Sequence, residues 1–544
     1  MISAVNYRTP AAGGAGLATD VYLPPAAHES GVSFPALIIR TPYGRKNLAV
    51  LGDLFARSGY AVVIQDVRGT GESDGSFGFL AQEPADAEST ARWTLSQPWC
   101  GGRLGIVGIS YLASASIALP SLFPDEVKAA VWVTIPVSWD TLTWQGGALR
   151  LHHALPWVLI HEGKMEDFPL PETYRTLPLV NAIPRGMSSI WEDLVAGGPG
   201  SEFWVRNDLR NYLENCRVPG LHFGGWFDFL LDATLKPYET LPKSGVPQRL
   251  FLGPWSHNGI VGATRLAGGV DYGPDSGSSF VRKVLEWFDR WLKGNTGTTG
   301  TSGSDADEEV RLFFTGSEPG WRECRAWPLE DAVPVRFYLA GHSLVMEREA
   351  RSDAVPGEGV RRFKYDPLDP VPTEGGALWE LPRAGLTPGP MEQHSHLRQD
   401  VLVFETPALD KPLRIAGPVS VLLYASSSCP DTDFTGKLVD VDPEGTGRIV
   451  ADGIVRARFR NGPEREEFLE PGKVHEFWIS LGACAHVFGE GHKIRLEVSS
   501  SNFPKYDRNM NTLRPPWLED RPAVAVQEVH FGRRAPSRLE VYCV

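Results

Sequence analysis

The sequence is poor in several features that would mark a specialised class of protein. It has only 6 Cys among 544 residues, and no two of them form a Cys-x-x-Cys pair, so a cysteine zinc site is not expected. No stretch reaches the about 18 consecutive apolar residues of a membrane helix. The N-terminus lacks a basic region followed by an apolar core, which a secretory signal requires. We therefore expect free thiols, no membrane span and a cytoplasmic location.

Basic residues are fewer than acidic ones. The chain has 53 Lys and Arg against 66 Asp and Glu, a formal net charge of −13 at pH 7. This excess argues against a nucleic-acid-binding surface and against binding to anionic membranes. The remaining composition, 42% hydrophobic and 22% charged, is that of a globular chain long enough for two or three large folded units.

The first part of the chain alternates buried strand patterns with helical ones. Apolar runs at 36–40, 60–66 and 104–108 are separated by segments such as 83–95, which has a helical pattern. Buried runs separated by helices predict a parallel sheet with crossovers. Similar runs near residues 218 and 249 indicate that the sheet resumes there. We predict an α/β core over 1–140 and 216–295, with 141–215 as a mostly helical cap.

The character of the sequence changes after residue 294. Gly294 to Ser304 has the composition of a flexible linker, and the acidic run Asp305 to Glu309 that follows it is predicted to be solvated. Beyond it, short alternating segments are separated by Gly, Pro and Asp. This pattern predicts an all-β unit over 310–544, a sandwich or jelly roll.

The strongest chemical signal lies where the run 104–109 meets a serine. Gly108-Ile109-Ser110-Tyr111 follows an apolar strand and precedes a helix of small residues, the context of a nucleophile elbow. Gly108 permits the sharp turn that lifts the Ser110 hydroxyl clear of the sheet. The pattern departs from Gly-x-Ser-x-Gly because Leu112 stands at the last glycine.

A serine nucleophile needs a base, and the base needs an acid to orient it. Asp228 and His257 follow two later buried runs, in the order Ser, Asp, His that α/β-hydrolases use. Both come after predicted strands, at the sheet edge where such folds place their sites. Separately, Asp228 could cap a helix and His257 could be an ordinary loop histidine. Their joint order and location predict a catalytic triad.

At these residues the sequence resembles the bacterial cocaine esterases, within the group that contains X-Pro dipeptidyl-peptidases and α-amino acid ester hydrolases. The resemblance spans nearly the whole chain and implies an α/β-hydrolase core, a helical cap and a C-terminal jelly roll. The matching segments are Thr41-Pro42-Tyr43, Asp66-Val67-Arg68-Gly69, Gly108 to Ala113, Gly225 to Asp228, Gly253 to His257, Asp431 to Thr435 and Ser501 to Asn509.

The resemblance implies roles for individual residues. Ser110 would be the nucleophile, His257 the general base and acid, and Asp228 its orienting partner. The oxyanion hole would combine the Tyr43 hydroxyl with the backbone N–H of Tyr111. The family motif has glycine where this chain has Ala113, a change that removes no catalytic group.

The resemblance also predicts parts of a substrate pocket. Relatives that recognise a free α-amino group have an acidic pair just after the catalytic Asp, because a buried ammonium needs carboxylates. Here those positions are Leu230 and Leu231, and Asp232 is out of register, which argues against an aminopeptidase or an α-amino acid ester hydrolase. The residues predicted to line the pocket are Trp144, Trp157, Trp226, Leu230 and Trp379.

We therefore predict a serine hydrolase that cleaves carboxylic esters with an apolar or aromatic acyl group, through an acyl-enzyme on Ser110. One alternative is an amidase, acylase or peptidase with the same triad. A disfavoured one is a non-catalytic carbohydrate-binding or interaction protein. We expect no cofactor, no metal and no partner beyond a small ester or amide, and leave a homo-oligomer open. His152, His153, His394 and His396 lack metal-ligand spacing and are predicted to be cap or surface residues.

Overall fold

The computed structural model describes residues 2–28, 31–241, 246–262, 264–294, 310–347, 357–463 and 465–544. The predicted linker from residue 295 onward and the acidic run 305–309 lie outside the described residues. Within the described ranges, no helix is long and apolar enough to cross a membrane.

The first part of the chain builds one large mixed sheet. Across the sheet the strands follow the order β1-β2-β4-β3-β5-β6-β9-β10-β13-β14. All neighbouring pairs between β4 and β13 in this order are parallel, and the other pairs are antiparallel. The strands are β1 Val5–Pro10, β2 Gly16–Tyr22, β3 Phe34–Thr41, β4 Ala61–Asp66, β5 Cys100–Ile109, β6 Val127–Val133, β7 Trp144–Gln145, β8 Ala148–Leu149, β9 Gly220–Gly225, β10 Gln248–Gly253, β11 Leu266–Ala267, β12 Val270–Asp271, β13 Val310–Gly316 and β14 Gly320–Cys324. β7 with β8 and β11 with β12 form separate two-residue pairs.

Helices cover both faces of this sheet. Alternate strand residues point to opposite faces, so Ile38 and Val63 pack in the cluster that includes the cap, while Leu37 and Val62 pack against the helix that ends the core. The helices are α1 Ala49–Arg57, α2 Glu83–Leu95, α3 Tyr111–Ser114, α4 Leu119–Leu122, α5 Trp139–Leu142, α6 Leu151–His161, α7 Leu170–Thr173, α8 Ser189–Ala196, α9 Glu202–Arg206, α10 Arg210–Glu214, α11 Asp232–Thr240, α12 His257–Gly262 and α13 Phe280–Leu292.

The segment between β6 and β9 contributes the cap. It contains α5, the β7–β8 hairpin and the helices α6 to α10, as expected for a helical insertion above the sheet. Helix α6 is the one that matters for the site, because its first two turns are almost entirely buried. Since α6 is apolar all round, it lies between the sheet below it and the other parts of the cap.

Strand β13 pairs with strands of both domains. Leu250 to Leu252 of β10 pair in parallel with Val310 to Leu312, so β13 extends the α/β sheet. The end of the same strand, Thr315 and Gly316, pairs in parallel with His486 and Val487 in the second domain, and the predicted boundary at residue 310 stays a prediction. An alternating strand pattern shows that a strand forms but does not identify the sheet that it joins.

The second domain is built mostly from antiparallel strands, and β16 pairs in parallel with β18. The longest of them, β19, pairs with β22 on one edge and with β24 and β25 on the other. The jelly-roll topology stays a prediction. The strands are β15 Val333–Ala340, β16 Ser343–Met346, β17 Gly359–Tyr365, β18 Leu402–Glu405, β19 Leu413–Ser427, β20 Asp433–Val441, β21 Gly447–Arg456, β22 His475–Phe488, β23 Lys493–Ser499, β24 Ala525–Phe531 and β25 Arg538–Cys543.

Buried ion pairs join the second domain to the cap. The Arg456 guanidinium is fully buried between the carboxylates of Asp433 and Asp507, at 2.9 Å from each. Asp507 also accepts a hydrogen bond from the Leu149 backbone N–H at 2.8 Å. Because Leu149 lies just before α6, this network fixes the start of the helix that covers the site.

Candidate active site

Ser110 occupies the sharp turn that its sequence context predicts. Its backbone has φ 55° and ψ −126°, a conformation that costs a non-glycine residue free energy. The turn is held by the Ser110 N–H, which donates to the Val133 carbonyl at 2.8 Å. A Cβ on Gly108 would lie 2.3 Å from the Cα of Ala113, so only glycine lets α3 pack so closely on β5.

Asp228 and His257 meet at the carboxyl ends of neighbouring strands. Asp228 follows β9 and His257 follows β10, which pairs with β9 in parallel. The imidazole Nδ1 lies 3.0 Å from each carboxylate oxygen of Asp228. Asp228 is itself held in place, because its Oδ1 accepts the Leu230 N–H at 2.8 Å. This arrangement protonates Nδ1 and leaves Nε2 as the basic atom.

The hydroxyl of Ser110 stands at the end of β5, which β6 separates from β9. The hydrogen bonds of the described residues include the one between Asp228 and His257 but none from the Ser110 hydroxyl to the imidazole. A hydrogen bond between a serine hydroxyl and a histidine is often long or misaligned without a ligand and tightens when one binds.

The protonation of His257 reflects two opposing effects. Burial alone would lower its pKa, but the charge and hydrogen bond of Asp228, together with the charge of Glu380, outweigh burial and raise the pKa above its ordinary value. Asp228 therefore stabilises the imidazolium that forms when the histidine accepts a proton.

Tyr43 follows β3 at the same edge of the sheet as Ser110. Its hydroxyl accepts a hydrogen bond from the Trp157 indole N–H at 2.9 Å. Burial of the hydroxyl raises the pKa of Tyr43 to about 12, so the phenol keeps its proton at neutral pH. Because the hydroxyl accepts from Trp157, its own proton is left to donate to another acceptor.

The Tyr111 side chain is held in place by a hydrogen bond and by ring stacking, whereas its backbone N–H is not used by the described residues. Its phenol donates to Glu83 Oε1 at 3.0 Å, and its ring stacks on Trp157 with centroids 6.1 Å apart. Arg40 donates to the other oxygen of Glu83 at 2.7 Å. Among the hydrogen bonds of the described chain, none uses the Tyr111 backbone N–H, which lies at the first position of α3 and is free for a ligand.

The Glu83 carboxyl was missed by the sequence argument. It is almost fully buried beneath Tyr111, and burial raises its pKa to about 7 even though Arg40 opposes this effect. A buried acid at the start of a helix has no distinctive pattern in a single sequence. Its contacts show that it supports the residue next to Ser110.

A cavity of about 610 Å³, counted with the solvent at its mouth, opens between the core, the cap and the second domain. Of the residues predicted to line a pocket, Trp226 and Trp379 lie on its wall. Trp157 lies instead over the oxyanion side, between Tyr43 and Tyr111.

Two predicted pocket residues are placed elsewhere. Trp144 is fully buried and packs edge-on against Trp517, with centroids 5.4 Å apart, and it is absent from the described lining of the cavity. Leu230 is also fully buried and contacts Asp228 through its backbone. In both places the adjacent residue lines the cavity instead, namely Gln145 next to Trp144 and Phe229 next to Leu230. The local backbone conformation decides which of the two side chains faces the cavity.

The four histidines that lack metal-ligand spacing lie in the cap and the second domain. His152 and His153 lie in the cap but are buried, not on the surface, and both line the cavity. His394 is exposed and comes just before a short 3₁₀ turn. Within the described ranges no group of three or more His, Cys, Asp or Glu side chains could hold a metal ion, and the six cysteines are free thiols.

Two further residues contact His257 or the residues on either side of it. The Phe229 ring lies 4.9 Å from His257 and 5.9 Å from Trp379, centroid to centroid. Glu380, from the second domain, accepts hydrogen bonds from the Ser256 hydroxyl and from the Asn258 backbone N–H. The second domain thus contributes a charge and an aromatic wall to the site.

Comparisons with known proteins agree with this fold. The family model of the X-Pro dipeptidyl-peptidase (S15 family) matches residues 13–259, and that of the X-Pro dipeptidyl-peptidase C-terminal non-catalytic domain matches residues 302–540. The cocaine esterase of Rhodococcus sp. (strain MB1 Bresler) is 33% identical over 98% of this chain and 97% of its own length. The chain therefore belongs to the S15 family of α/β-hydrolases, in the group that includes cocaine esterase.

Solved structures show the same architecture. An aminopeptidase from the marine sediment archaeon Thaumarchaeota archaeon matches with a TM-score of 0.85 and 25% identity, covering 100% of this chain and 96% of its own. An α-amino acid ester hydrolase also matches with a TM-score of 0.85, at 24% identity over 99% of this chain and 96% of its own. The predicted α/β-hydrolase core followed by a β domain is thereby confirmed.

Proposed function

We propose that this chain, a serine ester hydrolase by its family, cleaves esters with an apolar or aromatic acyl group through an acyl-enzyme on Ser110. The observation that supports this most directly is the Asp228–His257 pair, with both carboxylate oxygens 3.0 Å from Nδ1. In this scheme Nε2 removes the Ser110 proton as the oxygen attacks the ester carbonyl, and then protonates the departing alcohol. Water attacks the acyl-enzyme in the same way, and the free acid leaves.

The tetrahedral intermediate carries a negative oxygen that needs hydrogen-bond donors. The Tyr43 hydroxyl and the Tyr111 backbone N–H are the two donors that we assign to it. Trp157 supports both, because it donates to the Tyr43 oxygen and stacks on the Tyr111 ring. A cytoplasmic location and the jelly-roll topology stay predictions.

A fluorophosphonate probe tests the proposed function. The probe should label the full-length protein once, on the peptide that contains Ser110, and abolish hydrolysis of an aryl ester. Kinetics on a matched ester and anilide with the same acyl group should favour the ester. Absence of labelling together with absence of ester turnover would refute the proposal, and a faster anilide would favour the amidase alternative.

Replacing Tyr43 with phenylalanine should lower kcat on an aryl ester by about 10²- to 10³-fold, because one of two oxyanion donors is lost. KM should change far less, since the ground-state carbonyl bears little charge. Tyr60→Phe is a matched control, because that phenol donates to Asp289 at 2.6 Å on the opposite face of the sheet. Equal kcat values for Tyr43→Phe and the wild type would contradict the assignment.

A further inference from the structure

A buried carboxylate lies behind the two oxyanion donors that we assign. Glu83 is the first residue of α2, and only 1% of its side chain is exposed. Its Oε1 accepts a hydrogen bond from the Tyr111 phenol at 3.0 Å, and among the described residues this phenol makes no other hydrogen bond. The Tyr111 side chain is therefore tethered to Glu83 alone, on the side of the residue that faces away from the reaction.

Arg40 holds the same carboxylate from the other side. Its Nη1 donates to Glu83 Oε2 at 2.7 Å and to the Ala115 carbonyl at 2.6 Å. Ala115 directly follows α3, the short helix that begins at Tyr111. One guanidinium therefore connects the tether to the far end of the helix whose first N–H is an oxyanion donor. Such a buried pair keeps its geometry, because separating it leaves a charge without a partner.

The Tyr111 ring connects Glu83 to the second donor. The ring stacks on Trp157 with centroids 6.1 Å apart and an angle of 20° between the planes. The Trp157 indole N–H in turn donates to the Tyr43 hydroxyl at 2.9 Å, which limits the directions in which that hydroxyl can point its own proton. A shift of the Tyr111 ring would therefore move the indole, and with it the Tyr43 hydroxyl.

The turn just before α2 adds a second contact to the same ring. Phe79 has φ 57°, a conformation that is an outlier for a bulky residue. Its ring lies edge-on against Tyr111, with centroids 6.0 Å apart, and against Trp157, at 5.6 Å. Strained residues of this kind cluster at functional sites. The short segment from Phe79 to Glu83 thus holds Tyr111 both by its ring and by its hydroxyl.

We propose that Glu83 is a positioning residue for the oxyanion hole and that it fixes both donors through one network. It acts on the Tyr111 backbone N–H through the phenol, and on the Tyr43 hydroxyl through the ring and Trp157. The carboxylate itself touches neither the substrate nor the reacting atoms. Donors that are already aimed at the developing negative oxygen need no reorganisation during the reaction. This inference rests on the proposed function, which assigns Tyr43 and Tyr111 as the donors.

Tyr111→Phe removes the tether and leaves the backbone N–H, the ring and the Glu83–Arg40 pair in place. We expect kcat on an aryl ester to fall by about 10-fold, because a slightly misplaced donor loses part of its effect. KM should change by less than about twofold, and thermal melting shows that the variant is folded. Tyr60→Phe is the matched control and should leave kcat unchanged, since that phenol also donates to a carboxylate, Asp289, at 2.6 Å.

Glu83→Gln tests the carboxylate itself. The single amide oxygen would face Arg40, so an NH₂ group would replace the oxygen beside the phenol. The charge-assisted hydrogen bond becomes a weaker neutral one, and kcat should fall by about threefold, less than in Tyr111→Phe. Because both changes act on one hydrogen bond, Glu83→Gln should have almost no further effect in the Tyr111→Phe background. If Glu83→Gln fails to fold because Arg40 loses its counter-charge, Tyr111→Phe still tests the tether, since it leaves both charges in place.

A double-mutant cycle with Tyr43 tests the connection between the two donors. In the Tyr43→Phe background, Tyr111→Phe should lower kcat by about threefold instead of about 10-fold, because one of the two donors that the network positions is already missing. Tyr60→Phe should have no effect on kcat in either background. A fully multiplicative loss for Tyr43→Phe and Tyr111→Phe would mean that the donors are held independently.

The proposal is overturned if Tyr111→Phe keeps kcat within about twofold of the wild type or raises KM instead. It is also overturned if the loss of kcat is the same with and without the Tyr43 hydroxyl, or if Glu83→Gln costs as much in the Tyr111→Phe background as in the wild type. Ester turnover by the wild type, with fluorophosphonate labelling of Ser110, shows in each case that the proposed ester hydrolase itself stands. Loss of both in the wild type would refute the proposed function instead.

Discussion

Replacing Ser110 with alanine is expected to lower kcat for ester hydrolysis by about 10⁵- to 10⁶-fold, the loss typical of removing a nucleophile from a serine triad. The hydroxyl makes the bond that defines the acyl-enzyme, so no neighbouring group can replace it. What remains should be the small acceleration that an oxyanion hole and binding provide. Hydrolysis of an aryl ester by the purified variant measures the loss, and the fluorophosphonate label should vanish with it.

The fold should survive this change. Among the described residues no hydrogen bond uses the Ser110 hydroxyl, and the turn is held by its backbone N–H, which alanine keeps. We expect the free energy of unfolding to stay within about 0.5 kcal/mol of the wild type. Ser116→Ala is a close control, since that hydroxyl too has no partner in the described chain, is fully buried and lies away from the reaction. If Ser110→Ala kept activity within tenfold, another nucleophile would have to be found.

The pairing of Asp228 with His257 was predictable from sequence because local patterns determine where strands end. An apolar strand followed by Gly-x-Ser places the serine at the sheet edge, and two later strands end in Asp228 and His257. Parallel strands place their carboxyl ends on the same side, so these residues share one edge whatever lies between them. The hydrogen bond between Asp228 and His257 follows from that topology.

The cavity wall was less predictable, because it is assembled from three parts of the chain. Arg150 and His153 come from the start of α6, Phe229 from the loop after β9, and Trp379 from the second domain. Which neighbour faces inward depends on turn geometry, which explains why Phe229 lines the cavity and Leu230 does not. Similarly, β13 joins the first sheet because of tertiary packing, which alternation of polar and apolar residues does not encode.

The second domain influences the chemistry through contacts that no motif marks. Glu380 lies close enough to His257 to add to the rise in its pKa, and it anchors the loop through Ser256 and Asn258. Asp433 and Asp507 belong to the segments that match the family, and their role is structural. They clamp Arg456 and thereby hold the cap, and with it α6, over the sheet.

Asp228→Asn is expected to lower kcat by about 10⁴-fold, as for the acid of other serine triads. The carboxylate accepts from Nδ1 and so keeps the free lone pair on Nε2, where the Ser110 proton must go. An amide at the same place can donate to Nδ1, which favours the tautomer whose Nε2 already bears a proton. The geometry stays nearly unchanged, so KM and thermal stability should change much less than kcat.

The pH profile separates this electrostatic role from a merely structural one. His257 must be neutral to act as the base, so kcat/KM falls as the pH drops through its pKa. Because Asp228 raises that pKa, the acid limb of the wild type should lie above the ordinary histidine value of about 6.5. In Asp228→Asn burial still lowers the pKa of His257 and only the charge of Glu380 opposes it, so the limb should move to lower pH.

Glu380→Gln should shift the acid limb of the pH profile less than Asp228→Asn does. It removes a negative charge near His257 without touching Nδ1, so the acid limb should move in the same direction but less, and kcat on the plateau should fall by less than about tenfold. If Asp228→Asn and Glu380→Gln had equal effects on both kcat and the limb, Asp228 would act only as a nearby charge. If neither moved the limb, the group that titrates would not be His257.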